Sequence, residues 1–219
     1  MTLLHDLEHV VIRRIAVSEM DNNVYLLTAK ATGAQLLIDA ADDMSAIERM
    51  LREARRDSPE PTRLSLIITT HRHADHTRAL AELAAATGAL TAAGSEDADA
   101  IEDATGTGID IRLDHGDAAE LDGLSLTAIP LRGHTPGSIA LAYGDPAGPT
   151  HLFTGDSLFP GGVGNTQGDP ERFASLLGDV TERLFAVYDD ATLVHPGHGL
   201  GTTLGAERPH LEEWRARGW

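Results

Sequence analysis

Six consecutive residues, His71-Arg72-His73-Ala74-Asp75-His76, hold three imidazoles and a carboxylate. They follow an apolar stretch, Leu64-Ser65-Leu66-Ile67-Ile68, that reads as a buried strand. Residues two apart on an extended strand exit point the same way, so His71 and His73 can present their rings to one cation. A turn after His73 would bring Asp75 and His76 to a second cation. The spacing predicts that these two residues open a helix over Thr77 to Ala86, whose positive end would favour the carboxylate form of Asp75. Four ligand-type side chains in six positions argue for a metal site over a solvated polar turn.

Three further candidates stand where an apolar strand runs into a glycine-bearing loop, the usual place for reactive groups on an α/β scaffold. His134 lies in Arg132-Gly133-His134-Thr135-Pro136-Gly137-Ser138, Asp156 ends Leu152-Phe153-Thr154-Gly155-Asp156, and His198 lies in His195-Pro196-Gly197-His198-Gly199. Singly, each reads equally well as a turn residue. Together, seven ligand-type groups suit two ions that share one carboxylate, an arrangement able to hold a hydroxide between cations ~3.5–4 Å apart. The chain has no cysteine, so any metal must be held by imidazole and carboxylate, which favours zinc, iron or manganese. The remaining histidines read as structural. His5, His9 and His210 are near the termini, His115 is in an Asp-rich turn, and His151 begins a strand; His195 sits within a strand end.

The elements that must position these groups alternate in texture. Val10 to Val17, Val24 to Thr28 and Gln35 to Asp39 read as a β-meander, and Ser45 caps a helix at about 45–57. The strand over Leu64 to Thr70 leads into the histidine-rich turn and a helix closed by Gly88, and a short helix follows over Glu96 to Ala104. Strands return at Leu124 to Ala128, Ile139 to Tyr143 and His151 to Phe153. Arg172 to Val187 reads as an amphipathic helix, Ala191 to Val194 as a strand and Glu207 to Arg217 as a closing helix. Strands, helices, strands, helices is the order expected of two β-sheets packed face to face with helices outside them. No long linker interrupts the pattern, so residues 1–219 are expected to form a single domain.

Composition narrows the partners. A formal net charge of −17, with Lys30 the only lysine, works against nucleic acid, which needs clustered Lys and Arg at its phosphates. No apolar run approaches the ~20 residues of a membrane helix, and Met1 to Arg14 does not resemble a leader, so a soluble, cytoplasmic protein acting on a small molecule is expected, its oligomeric state open.

The H-x-H-x-D-H run, the separate His134, Asp156 and His198, in this order, resemble the metallo-β-lactamase superfamily over nearly the whole chain. The resemblance implies an α+β fold, a four-layer αβ/βα sandwich of two mixed sheets flanked by helices. It also implies His71, His73 and His134 on a first metal, Asp75, His76 and His198 on a second, and Asp156 bridging both. Thr70 to Asp75, Gly133 to Ser138, Phe153-Thr154-Gly155-Asp156-Ser157-Leu158-Phe159 and Pro196-Gly197-His198-Gly199 are most similar to the glyoxalase II branch, the hydroxyacylglutathione hydrolases, which cleave thioesters. Two departures bear on substrate. Gly161-Gly162-Val163-Gly164-Asn165 lacks the usual Cys and Arg, and 21 residues follow His198, too few for the helical region that binds glutathione in that branch.

The expected activity is therefore binuclear metal-dependent hydrolysis of a small-molecule thioester or ester. Two divalent ions, zinc before iron or manganese, would hold a bridging hydroxide that attacks the carbonyl, with Asp75 as the catalytic residue that orients the hydroxide and handles its proton. The alternative is an oxidoreductase similar to the persulfide dioxygenases, with one iron on His71, His134 and Asp156. Substrate selection is expected from Ser157 to Asp169 and Thr202 to Trp219, with Arg172, Arg208 and Trp214 as candidate contacts and Trp214 and Trp219 as candidate packing for the last helix.

Overall fold

Leu26 and Leu27, Leu36 and Leu37, and Ile67 and Ile68 are neighbouring pairs whose side chains face opposite sides of one sheet, and all six are buried. A sheet apolar on both faces must be covered on both. The computed structural model describes residues 2–218 and supplies the cover. Its first sheet takes seven strands in sequential order, β1 (Thr2–Asp6), β2 (Val10–Val17), β3 (Asn22–Ala29), β4 (Ala34–Ile38), β5 (Arg63–Thr69), β6 (Leu90–Gly94) and β7 (Ile111–Leu113). Pairing is antiparallel through β4 and parallel from β4 to β7. The parallel crossovers carry helices α1 (Met44–Glu53), α2 (Leu80–Thr87) and α3 (Ser95–Thr105), which bury Ile47, Met50, Leu83 and Ile101 against Leu26, Leu37 and Ile67.

The second sheet comprises β8 (Ala118–Leu121), β9 (Leu124–Pro130), β10 (Ile139–Tyr143), β11 (His151–Gly155), β14 (Leu193–Pro196) and β15 (Thr202–Thr203), in the spatial order β15-β14-β11-β10-β9-β8; a two-strand ribbon, β12 (Leu158–Phe159) and β13 (Gly162–Val163), stands apart. Only β11 and β14 run parallel there. Ile12, Leu27, Leu36 and Ile68 of the first sheet meet Leu126, Leu141 and Phe153 of the second in an apolar seam. Helices α4 (Pro170–Val180), α5 (Leu204–Glu207) and α6 (Leu211–Arg217) close the far side, burying Phe173, Leu177 and Trp214 over Ala140, Leu152 and Val194. The architecture is the expected αβ/βα sandwich of two mixed sheets.

Several boundaries differ from the sequence reading for local reasons. Asp43, not Ser45, caps α1, with its carboxylate accepting from the Ala46 N–H at 3.0 Å. Pro170 starts α4 behind the Asp169 cap, and the helix winds into a π-turn over Thr181–Phe185. The last helical stretch is broken by a tight turn at Arg208–His210, where Pro209 cannot donate to a preceding turn. Strands β6 and β7 give little signal in sequence because Leu90-Thr91-Ala92-Ala93-Gly94 is a small-residue stretch stabilised by parallel pairing on both sides. Trp214 is 1% exposed and packs on Phe185, so it is core and not a substrate contact. Trp219 lies outside the described residues. Among those residues no helix is long and apolar enough to cross a membrane.

Ile68 lies fully buried in the seam between the sheets, three residues before His71. Ile68→Ala should lower unfolding free energy by about 2–5 kcal/mol through lost burial and the cavity left behind. Urea unfolding should show a lower midpoint with an unchanged slope.

Candidate metal centre

β5 ends at Thr69, and the histidine-rich segment continues from its exit. A carboxylate fixes that exit. Asp39, at the end of the neighbouring β4, accepts from the Thr70 N–H at 2.7 Å and the Thr70 hydroxyl at 2.8 Å, and its other contact is His76 Nδ1 at 2.9 Å. Its backbone sits in the left-handed region (φ 58°), which aspartate tolerates better than most side chains. The chain does turn after His73, but through a single tight turn, Ala74–His76; α2 begins only at Leu80. The expected helix over Thr77 to Ala86 therefore starts late, and the largest stabilising contact of the Asp75 carboxylate comes from a side chain and not from the end of α2. Asn22 Nδ2 donates to Asp75 Oδ2 at 2.9 Å.

All seven candidate ligands converge. His73 Nδ1 lies 3.1 Å from His71 Nε2 and 2.9 Å from His134 Nε2, and these three form one set. His198 Nε2 lies 3.2 Å from His76 Nε2 and 3.3 Å from Asp75 Oδ2, forming a second. Asp156 stands between them, its Oδ2 3.4 Å from His198 Nε2 and 3.7 Å from His134 Nε2, and its Oδ1 3.4 Å from His76 Nε2. Gly197 makes room for it, since a Cβ there would strike Asp156 Oδ1 and the His76 ring.

Four of the five imidazoles are gripped by the nitrogen that faces away from the centre. His71 Nδ1 contacts the Thr70 hydroxyl at 3.1 Å, His76 Nδ1 contacts Asp39, His134 Nδ1 donates to the Asn165 carbonyl at 2.8 Å, and His198 Nδ1 donates to the Met20 carbonyl at 2.8 Å. Such contacts select the tautomer that leaves the inner nitrogen a free lone pair. Burial pushes His71 well down and lowers His73 and His134, so all three are free bases at neutral pH. The second set is charged differently. Burial opposes protonation of His76, yet Asp39 and Asp156 on either side lift it to about 10, and the contact with Asp156 raises His198. Burial alone would raise Asp156, but His198 and His76 hold it far below the usual carboxylate range.

These features fit divalent metal ions. His71 Nε2 and His134 Nε2 both aim lone pairs at His73 Nδ1, which as an N–H could donate to only one of them at a time, whereas a cation would accept all three nitrogens. Asp156 Oδ1 is buried with no hydrogen-bond partner.

Residue type and spacing point to the ligands but not to what holds them. In sequence Asp39 reads only as a strand end and Asn22 only as a turn former, and nothing marks Asp97 within its helix. Asp97 is fully buried in the first turn of α3. It accepts from the Arg72 N–H at 3.0 Å, the Thr135 hydroxyl at 2.5 Å and the Gly137 N–H at 3.0 Å, tying the His71–His73 segment to the loop that carries His134. Arg172 supports the same loop, its guanidinium donating to the Gly133 and His134 carbonyls. Arg208 is instead spent on Asp190 and the Phe185 and Tyr188 carbonyls, away from any substrate role.

An αβ/βα sandwich with a histidine and aspartate cluster at the ends of its strands defines a class of metal-centred proteins, and comparison with known proteins names it. The family model for the metallo-β-lactamase superfamily matches residues 17–198, and the chain belongs to that superfamily. The hydroxyacylglutathione hydrolase of Anaeromyxobacter dehalogenans (strain 2CP-C) is 36% identical over 181 residues, which cover 81% of this chain and 61% of that one. The chain thus spans about three fifths of that relative's length. Among solved structures, ETHE1 from Myxococcus xanthus is 27% identical with a TM-score of 0.77, covering 94% of this chain and 84% of that one. TTHA1623 in a di-iron-bound form is 29% identical with a TM-score of 0.67, covering 90% of this chain and 96% of that one.

Asp39→Asn should weaken retention of a divalent cation about 10–100-fold, because an amide grips His76 less firmly than a carboxylate does. Competition of the purified protein with a graded chelator reads this directly.

Proposed function

We propose that the chain is a binuclear metal-dependent hydrolase of a small-molecule thioester or ester. One observation carries the reading: the seven side chains fall into two three-residue sets with Asp156 between them. His71, His73 and His134 would hold one ion, Asp75, His76 and His198 the other, and Asp156 would bridge. The likeness to a hydroxyacylglutathione hydrolase supports the reaction type, and the di-iron form of a relative supports the count. Zinc suits this donor set best, with iron or manganese as alternatives.

Divalent ions, when bound, supply Lewis acidity and bring the pKa of water towards ~7. The chain's own residues do the positioning. Asp75 keeps one carboxylate oxygen on Asn22 and is held below the usual carboxylate range; burial opposes this, and the Asn22 contact and His76 prevail. It is thereby an ionised member of the second set that would orient the attacking water and take its proton. Asp156 fixes the spacing between the two sets. A cavity of about 480 Å³ is lined by Arg72, Glu96, Arg132, Gly133, Pro136 and Arg172, of which Arg72 lies between His71 and His73 in the chain and Gly133 precedes His134. Arg132 is committed to Asp179 and Arg172 to the His134 loop. Arg72, whose guanidinium lies 3.7 Å from Asp97 at its nearest, is the side chain best placed to meet an anionic end of the acyl or thiol group.

Plasma mass spectrometry of protein purified without added metal or chelator should give at least two divalent ions per chain, and a panel of small thioesters should be hydrolysed. Asp75→Ala should retain the fold by circular dichroism and lose about 10²–10⁴-fold in kcat. Near-normal turnover of metal-loaded Asp156→Ala, or a single iron per chain with persulfide-dependent oxygen consumption, would overturn the reading. Arg72→Ala should raise KM about 10–100-fold for anionic thioesters and leave kcat and neutral substrates unaffected, as expected for loss of one charge-assisted hydrogen bond.

A further inference from the structure

Three histidines that read as unrelated in sequence meet where the edge of the first sheet faces the second. His5 comes from β1, the edge strand of the first sheet; His151 opens β11 and His195 lies in β14. His151 is fully buried and His195 nearly so, while His5 is partly exposed. His151 Nδ1 lies 3.0 Å from His195 Nε2, and one nitrogen of each of the three rings lies within 4.8 Å of the other two.

The fold gives these rings little else. That single contact is the one side-chain hydrogen bond any of them makes among the described residues, and His151 Nε2 is buried with no partner. Their other neighbours are aromatic: Phe153 stacks on His195, and Tyr25 and Tyr143 stand beside the pair. Three apolar side chains would fill this place at lower desolvation cost. Local backbone geometry adds a second observation, since β1 changes register against β2 between Leu3 and His5. An irregularity of this kind re-aims a side chain, here across the gap between sheets.

We propose that His5, His151 and His195 form a second, structural site for a zinc-class divalent transition ion, distinct from the seven-residue centre, which clips β1 to the strands β11 and β14. Imidazole without carboxylate or thiolate suits zinc, cobalt(II) or nickel(II) and not calcium or magnesium. Two ligands of a tetrahedral ion with bonds of about 2.0–2.1 Å lie roughly 3.3 Å apart, so His151 and His195 are already at ligand spacing. His5 has to close by about 1.5 Å at most, from an edge strand with an irregular register. Burial holds His151 to about 4 and His195 to about 3, so at neutral pH no proton has to leave before a cation enters. The half-open His5 side leaves the fourth position to water.

The test uses the full chain. Equilibrium dialysis against zinc, with metal counted by plasma mass spectrometry, should show His5→Gln and His195→Gln each binding one equivalent fewer than the parent. The rise of Tm with added zinc should shrink in both, while thioester turnover is unchanged in His5→Gln. His5→Gln changes a partly exposed edge residue and is the variant expected to fold without difficulty. Cobalt(II) titration of His71→Ala/Asp156→Ala/His198→Ala protein, which breaks both three-residue sets of the seven-residue centre, should still give a tetrahedral visible band, abolished by adding His5→Gln. Equal zinc stoichiometry and equal Tm response in parent and His5→Gln, or no cobalt band in the dismantled protein, would overturn the proposal. Neither readout depends on whether the seven-residue centre hydrolyses anything.

Discussion

Asp39 is a buried carboxylate that has to be matched, and the layout of the centre follows from how it is matched. Its three contacts, the Thr70 N–H, the Thr70 hydroxyl and His76, belong to a single segment, the exit of β5 and the turn beyond it. The end of β4 thus sets where the histidine-rich run begins and which way it turns. An uncompensated charge at this depth would cost several kcal/mol, so the arrangement is rigid because the alternatives are expensive. Asp97 repeats the logic one strand further along, fastening the Arg72 backbone to the loop between Thr135 and Gly137. Two carboxylates that touch no reacting atom therefore fix the relative position of His71, His73, His76 and His134.

What is legible in the sequence divides along the same line. Metal ligation admits few residue types, and groups of that kind clustered at strand ends stand out even in a single sequence, which is why residue type and spacing alone name all seven candidates. The αβ/βα order is likewise readable from long apolar strands and amphipathic helices. Asn22, Asp39 and Asp97 are not, because each acts through partners some thirty to fifty residues away, and the sequence around each is equally consistent with a cap or a turn. β6 and β7 are hard to read for a related reason, since Ala92 and Ala93 are held in a strand by their neighbours and not by their own propensity. The meeting of His5 with His151 and His195 depends on the packing of one sheet on the other, which no local pattern encodes.

Charge acts on two scales. The chain is strongly acidic overall, yet the centre is built from imidazoles with only two carboxylates among seven donors. Arg132 and Arg172 have their guanidiniums turned onto Asp179 and onto the loop carbonyls. Bound cations would make their surroundings locally positive within an acidic chain.

Asn22 and Asn23 sit at the start of β3, yet their side chains and backbone reach His198, Pro196 and Gly199 across most of the chain's length. The seven candidate ligands run from position 71 to position 198. During synthesis, then, a growing chain would expose the imidazoles of the first run long before the groups that complete their pockets leave the ribosome. Closing loops of this size comes late in folding, because their entropy is lost before the contacts they allow are gained. A nascent chain holding only part of the cluster would offer a divalent ion incomplete sets of donors, so the order in which donors emerge would matter as well as their final affinity.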